Sequence, residues 1–237
     1  MQPGQSAPAR FPAEDASGVA AYVFHGSRPG PVAAFLFHGF ADEAAFREAA
    51  QATFGAIPLQ SMQGTVLVLS LPARSLCDGG KLCAPGEDSS WRRTTPAILK
   101  ATRFVIDVQQ GAKGVGAEPY AFVYLPEGNP RLATYVKAMA RASLIPNVVE
   151  LTEPDLKPLG LSADALGHLA PQSLALSHPA FAVEAATLLG DAGAGLRKGL
   201  ANLLDHLKMT TGSVSWQNRV QSHDLADLPA DFFAPKR

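Results

Sequence analysis

The stretch AAFLFHGFADEAAF (33–46) carries an imidazole and two carboxylates within six residues, directly after an apolar run. These groups are His38, Asp42 and Glu43. Imidazole nitrogen and carboxylate oxygen are common zinc ligands, and a catalytic zinc site needs three protein ligands. The stretch therefore predicts part of a metal site. In the simpler alternatives, His38 hydrogen-bonds within a tight turn and Glu43 is an early helix residue favoured by the helix dipole.

Two further polar residues stand inside or at the end of apolar runs. Glu184 interrupts the run FAVEAATLL (181–189), and Gln109 lies near the end of RFVIDVQQG (103–111). A carboxylate in an apolar strand costs free energy unless it has a partner or a function. Because functional side chains of α/β proteins collect at strand ends, these positions are candidates for a cleft.

A long loop, SLCDGGKLCAPGEDSSW (75–91), also follows an apolar run and is rich in Gly, Pro and Asp. It contains Asp78 and Cys83, and Arg74 directly precedes it. Arg74 is either a surface cation of the loop or a charged group directed toward the cleft. The sequence leaves both open.

Alternating apolar and helical patterns must position these residues. Runs of β-branched, aromatic and aliphatic residues predict strands, and amphipathic spacing predicts helices. The predicted strands are 19–24, 32–37, 64–72, 103–111, 120–125 and 181–189, and the predicted helices are 43–53, 95–102, 130–142 and 194–207. This alternation is typical of an α/β domain with a mixed, largely buried central sheet and helices on both faces.

Composition excludes several classes of function. The 237 residues are 47% hydrophobic and 17% charged with a net charge of −1, so neither a nucleic-acid surface nor disorder is expected. No apolar run approaches the ~20 residues of a membrane helix, and the start lacks a signal-peptide core. With only two cysteines, we expect a reduced, cytoplasmic protein without nucleic-acid or membrane partners.

The ordered set of motifs resembles the succinylglutamate desuccinylase/aspartoacylase family. The resemblance begins at GSRPGP (26–31), continues through the His-Gly…Asp-Glu stretch, the loop and DVQ, and ends with the glutamate run and the helix after it. It covers roughly residues 18–212. It implies a zinc carboxypeptidase-like α/β domain at 18–212, between an arm (1–17) and a tail (213–237), without the family's C-terminal β-domain.

The resemblance also implies a chemistry. In the family a His and a Glu of the first motif and a later His hold zinc, which polarises a carbonyl and a bound water. A later Glu moves the proton, an Arg stabilises the oxyanion, and an Asn-Arg pair binds a substrate carboxylate. The family cleaves acyl groups from amino acids at an amide bond.

The metal motif matches unevenly. Counted without gaps from Pro31, Glu43 falls on the carboxylate ligand, whereas Phe40 stands where the first His belongs. His38 can take that place only if the turn contains two inserted residues. Gln109 falls on the second His, and an amide oxygen is a poor zinc ligand beside imidazole. The resemblance therefore assigns His38 and Glu43 as the metal candidates of an eroded zinc site.

The substrate motif is eroded in the same way. Cys83 and Ala84 occupy the Asn-Arg positions, so the bidentate carboxylate contact is lost, while Asp78 matches the family's Asp-Gly. Arg74 falls near the oxyanion Arg and Glu184 on the proton-transfer Glu. The resemblance thus implies catalytic roles for Glu184 and Arg74 and substrate contacts for Cys83, Gln109 and Asp78.

Three functional hypotheses follow. The first is an active amide hydrolase with a rearranged metal site built from His38, an acid of the first motif and Cys83. The second is a non-catalytic relative that binds a small-molecule ligand or supports an active protein partner. The third is an enzyme that works without metal. Loss of both imidazole positions and of the Asn-Arg pair favours the family fold with an impaired or absent zinc site.

Overall fold

The computed structural model describes residues 1–11, 19–71, 89–111, 118–126, 128–152, 169–210 and 221–223. Within these ranges nine strands form one sheet. The strands are β1 (Gln5–Phe11), β2 (Val19–His25), β3 (Arg28–His38), β4 (Gln63–Leu71), β5 (Phe104–Gln110), β6 (Tyr120–Tyr124), β7 (Asn147–Leu151), β8 (Ala180–Ala185) and β9 (Gln221–His223). The helices are α1 (Glu43–Phe54), α2 (Ser89–Ala101), α3 (Pro130–Ala142), α4 (Ala170–Ala175) and α5 (Ala194–His206).

The strand order is β1-β2-β4-β3-β5-β8-β6-β7-β9. The central strands β4, β3, β5 and β8 run parallel to one another. Strand β2 pairs with β4 and strand β6 pairs with β8 in the antiparallel direction. The carboxyl ends of these four parallel strands therefore meet at one edge of the sheet, which we call the carboxyl edge. Such an edge is where α/β proteins place their binding residues.

Side chains of β3 alternate between two faces of the sheet. Phe35 and Phe37 contact Phe54 of α1, with ring centroids 4.6 and 6.5 Å apart, so α1 covers the face to which they project. Helices α1 and α3 both pack against α5 in the same layer. Leu36 and His38 project to the other face, where α4 packs on β5 and β8. We call these the α1 face and the α4 face.

The sheet is buried between these layers, because its central strands carry apolar residues on both faces. The side chains of β3 from Ala33 to Phe37 and most of those of β5 and β8 have little or no exposed surface. Continuous apolar runs of this kind are expected in strands covered on both sides. The predicted mixed α/β sheet with helices on both faces is confirmed.

All the predicted strands and helices are present, with shifted ends. Helix α2 starts at Ser89 rather than at 95, and β8 ends at Ala185 rather than at 189. The sequence patterns did not predict β1, β7, β9 and α4. Strand β1 carries mainly exposed residues and pairs only with β2 among the described residues, so it lacks the apolar run that marks a buried strand.

Strand β1 belongs to the predicted N-terminal arm and β9 to the predicted tail; the division into arm, domain and tail stays a prediction. In the described part of the chain, no helix combines the length and the apolar character needed to cross a membrane.

Candidate functional site

Four polar side chains form a row across neighbouring strands at the carboxyl edge. Register pairs join His38 of β3 to Gln109 of β5, Gln109 to Glu184 of β8, and Glu184 to Tyr120 of β6. Residues paired in register project to the same face, so all four lie on the α4 face, and we call them the polar row. The exposed fractions of His38, Gln109 and Glu184 are 2%, 4% and 1%. Three polar groups this deeply buried are unusual outside functional sites.

Beneath the row, His38 forms a buried pair with Asp107. The Nε2 atom of His38 lies 2.8 Å from Oδ1 of Asp107. The backbone N–H of Leu169, just before α4, donates to the other carboxylate oxygen over 2.7 Å. Asp107 is fully buried, and the two contacts compensate its desolvation.

Gln110, the next residue of β5, fixes the two turns beside the row. Its Nε2 donates to the carbonyl of Gly39 over 3.1 Å, and its Oε1 accepts from the N–H of Leu188 over 3.2 Å. Gly39 has a φ of +84°, a conformation that glycine adopts with little strain. The turns after β3 and β8 are therefore both tied to the end of β5.

The turn between β3 and α1 places Phe40 and Asp42 in structural roles. Phe40 packs against Phe37 and Phe46, with ring centroids 6.2 and 6.1 Å apart, which puts it on the α1 face. The carboxylate of Asp42 accepts a hydrogen bond from the N–H of Ala45 over 2.8 Å and caps α1. The residue that stands where an ungapped count expects the first His is thus part of an aromatic cluster.

Glu43, the predicted carboxylate ligand, is the first residue of α1 and lies at the surface. Its Oε1 is 2.6 Å from Arg47 and its Oε2 is 3.5 Å from Arg10 of β1. The side chain is 37% exposed, in contrast to the buried residues of the polar row. The structure brings together His38, Gln109 and Glu184 but gives Glu43 different partners. The predicted roles of these residues stay predictions.

The remaining predicted residues, Arg74, Asp78 and Cys83, lie outside the described residues. Strand β4 ends at Leu71, which pairs with His38 in register. Asp107 and Tyr120 were not among the predicted site residues. A signal for Asp107 existed, because it interrupts the apolar run of β5 as Glu184 interrupts that of β8. Tyr120 carried no comparable signal, because a tyrosine at a strand start is ordinary.

The described residues do not fit a three-ligand zinc site. Among them, no group of three His, Cys, Asp or Glu side chains could hold a metal ion. The polar row supplies one imidazole, whose Nε2 already contacts Asp107, one amide and one carboxylate. Zinc sites of hydrolases draw most of their affinity from imidazole and thiolate ligands. The described residues therefore support no zinc-dependent chemical step.

Two groups away from the polar row, Tyr135 of α3 and His206 of α5, have shifted pKa values. Burial raises the pKa of Tyr135, against a smaller lowering by Arg103. Burial also lowers the pKa of His206, and the positive charge of Lys208 lowers it further. The two rings are in contact, with centroids 5.7 Å apart. These shifts concern the stability of the helical layer rather than the candidate site.

No protein-family model matches the chain, and no curated protein matches it. Solved structures do. The product-bound structure of the ectoine utilization protein EutE (DoeB) from Ruegeria pomeroyi is similar with a TM-score of 0.66 and 16% identity, over 94% of this chain and 71% of that chain. The structure of an aspartoacylase family protein from Mesorhizobium loti is similar with a TM-score of 0.64 and 12% identity, over 94% of this chain and 71% of that chain.

The succinylglutamate desuccinylase/aspartoacylase from Rhodobacter sphaeroides gives a TM-score of 0.60 and 15% identity, over 93% of this chain and 71% of that chain. The chain has the succinylglutamate desuccinylase/aspartoacylase fold. The resemblance read from the motifs is thereby confirmed at the level of the fold. At these sequence identities the similarity shows only the fold, and the function has to be argued from the site itself.

Proposed function

We propose that the chain is a divergent relative of the succinylglutamate desuccinylase/aspartoacylase enzymes in which the zinc site is impaired or absent. In this proposal the polar row has become a binding site for a small polar ligand. Amide hydrolysis is weak or lost. The ligand class follows from the relatives: an acylated amino acid or its amine product, whose polar groups contact Glu184 and Gln109.

One observation carries the proposal: Gln109 stands between His38 and Glu184 in the polar row. A second imidazole at this position would provide a nitrogen ligand beside His38. A carboxamide offers only a neutral oxygen or an N–H donor, and zinc binds such oxygens weakly compared with imidazole. The same carboxamide is well suited to hydrogen-bond a ligand, because it both donates and accepts. The row is therefore better suited to binding than to Lewis-acid chemistry.

Metal content is the first test. We expect protein purified without chelator or affinity tag to contain well under one zinc per chain by elemental analysis, and added zinc to leave its melting temperature unchanged. Stoichiometric zinc that survives dialysis and disappears in His38→Gln would contradict the proposal.

Ligand binding is the second test. N-acetylaspartate and N-succinylglutamate should not be hydrolysed above the blank rate. Acylated amino acids and their amine products should be screened by thermal shift, and Glu184→Gln should weaken any ligand found by about tenfold or more, the loss expected for one charged hydrogen bond. Glu48→Gln, an exposed acid of α1, is the matched control and should bind as the wild type does. Turnover of either compound that Glu184→Gln abolishes would show an active enzyme instead.

A second candidate function is an active hydrolase with a rearranged metal site, and the His38–Asp107 pair favours it. Histidines that bind metals commonly donate their second ring N–H to a carboxylate, which orients the ring and raises its basicity. In this hypothesis Nε2 of His38 faces Asp107, and Nδ1 would be the ligand nitrogen. The metal analysis above separates the two candidates. Support of an active protein partner and a cytoplasmic location are further parts of the proposal, without a structural observation of their own.

A further inference from the structure

The two metal candidates of the first motif, His38 and Glu43, belong to opposite faces of the sheet. His38 contacts Asp107, whose register partner Leu36 projects to the α4 face. Glu43 contacts Arg10, whose register partner Ala20 projects to the same side as Tyr22.

Tyr22 marks the α1 face, because its hydroxyl accepts a hydrogen bond from Gln51 of α1 over 2.7 Å. The carboxylate of Glu43 is therefore directed across the α1 face toward the edge strand β1. In the strand order, β1 lies three strands from β3, so this direction leads away from the polar row.

The turn between β3 and α1 explains why His38 and Glu43 lie on opposite faces of the sheet. Four residues separate His38 from Glu43, and the turn between them is long enough for Asp42 to take the N-cap position of α1. An N-cap residue is followed at once by the first helical turn, so Glu43 is fixed as the first helical residue. There its carboxylate lies one helical turn from Arg47. The aromatic contacts of Phe40 stabilise the connection between β3 and α1.

We infer that Glu43 is not a ligand of the former metal site but a tether that holds edge strand β1 to helix α1 through Arg10. The inference rests on the proposed function for the view that the metal motif is eroded. It adds that the placement of Glu43 on the α1 face, and not only the residues Phe40 and Gln109, keeps its carboxylate away from the polar row. It also gives the retained acid of the motif a new role at the strand that ends the sheet among the described residues.

The test combines zinc binding with hydrogen exchange of the β1 amides in Glu43→Gln. Because an exposed ion pair contributes little, loss of the tether should speed exchange in β1 by about two- to fivefold. Glu48→Gln, an exposed acid of the same helix, is the matched control and should leave β1 exchange unchanged. Arg10→Gln removes the other partner and should speed β1 exchange by at least as much. Titration with zinc chloride should give the same uptake in Glu43→Gln as in the wild type.

The outcomes separate this inference from the proposed function. Wild-type protein with stoichiometric zinc that Glu43→Gln does not change would overturn the proposed function and leave the tether in place. Zinc uptake that falls tenfold or more in Glu43→Gln would overturn the inference. Unchanged β1 exchange in both Glu43→Gln and Arg10→Gln would overturn it as well, whatever the zinc result.

Discussion

The buried pair His38–Asp107 and the exposed pair Arg10–Glu43 flank the same turn of the chain but differ in environment. The first has side-chain exposures of 3% and 0%, and the second of 53% and 37%. Water solvates an exposed carboxylate when its partner leaves, whereas a buried one keeps its desolvation cost. Removal of one partner should therefore destabilise the protein strongly at the carboxyl edge and weakly at the β1 edge.

The largest effect is expected for Asp107→Ala. It removes the acceptor of the Leu169 N–H and the buried partner of His38, so the free energy of unfolding should fall by roughly 3–5 kcal/mol. Urea denaturation measures it. Asp107→Asn keeps the shape but can accept at only one oxygen, so it should cost less than Asp107→Ala. A loss below about 1 kcal/mol for Asp107→Ala would remove the difference between the two pairs.

A smaller effect is expected for Phe40→His, which tests whether the faces of the sheet are assigned correctly. A polar ring in the aromatic cluster should lower the free energy of unfolding by roughly 0.5–3 kcal/mol. It should not increase zinc uptake, because position 40 lies on the α1 face. Gln109→His is the matched variant that places an imidazole in the polar row, so any gain in zinc should occur there. A gain of zinc in Phe40→His alone would place position 40 at the site.

His206 should give a modest pH dependence in the helical layer, far from both pairs. Because burial lowers its pKa in the folded protein, the unfolded chain takes up the proton first as the pH falls through about 6.5, the ordinary histidine value. The free energy of unfolding should therefore decrease from pH 7.5 to the folded-state pKa and then level off. Urea denaturation at pH 7.5 and 5.5 should show a larger decrease in the wild type than in His206→Gln. Equal decreases would exclude this assignment.

The smallest effect is expected for Glu43→Gln on global stability. Both of its ion pairs are exposed, so the free energy of unfolding should change by about 0–1 kcal/mol. The local exchange in β1 should respond even though the global unfolding does not, because edge strands open without unfolding the core. A global loss comparable to that of Asp107→Ala would mean that exposure does not distinguish the two pairs.

The sheet and its class follow from the sequence alone. The apolar runs of β3, β4, β5 and β8 are long enough to predict buried strands, and the ordered motifs between them predicted the aspartoacylase fold. They also located Gln109 and Glu184, because a polar residue in an apolar run is visible without coordinates. The same patterns did not predict strand β1, because a strand at the end of a sheet needs little apolar surface.

Which side chains contact each other depends on the packed sheet. Register across β3, β5, β8 and β6 brought His38, Gln109, Glu184 and Tyr120 into one row, and register is set by pairing between segments far apart in sequence. The contact between His38 and Asp107 spans two strands in the same way. Glu43 is only five positions from His38, yet the alternation of the strand and the start of the helix direct the two side chains to opposite faces. Closeness in sequence does not reveal that separation, because it depends on where the helix packs against the sheet.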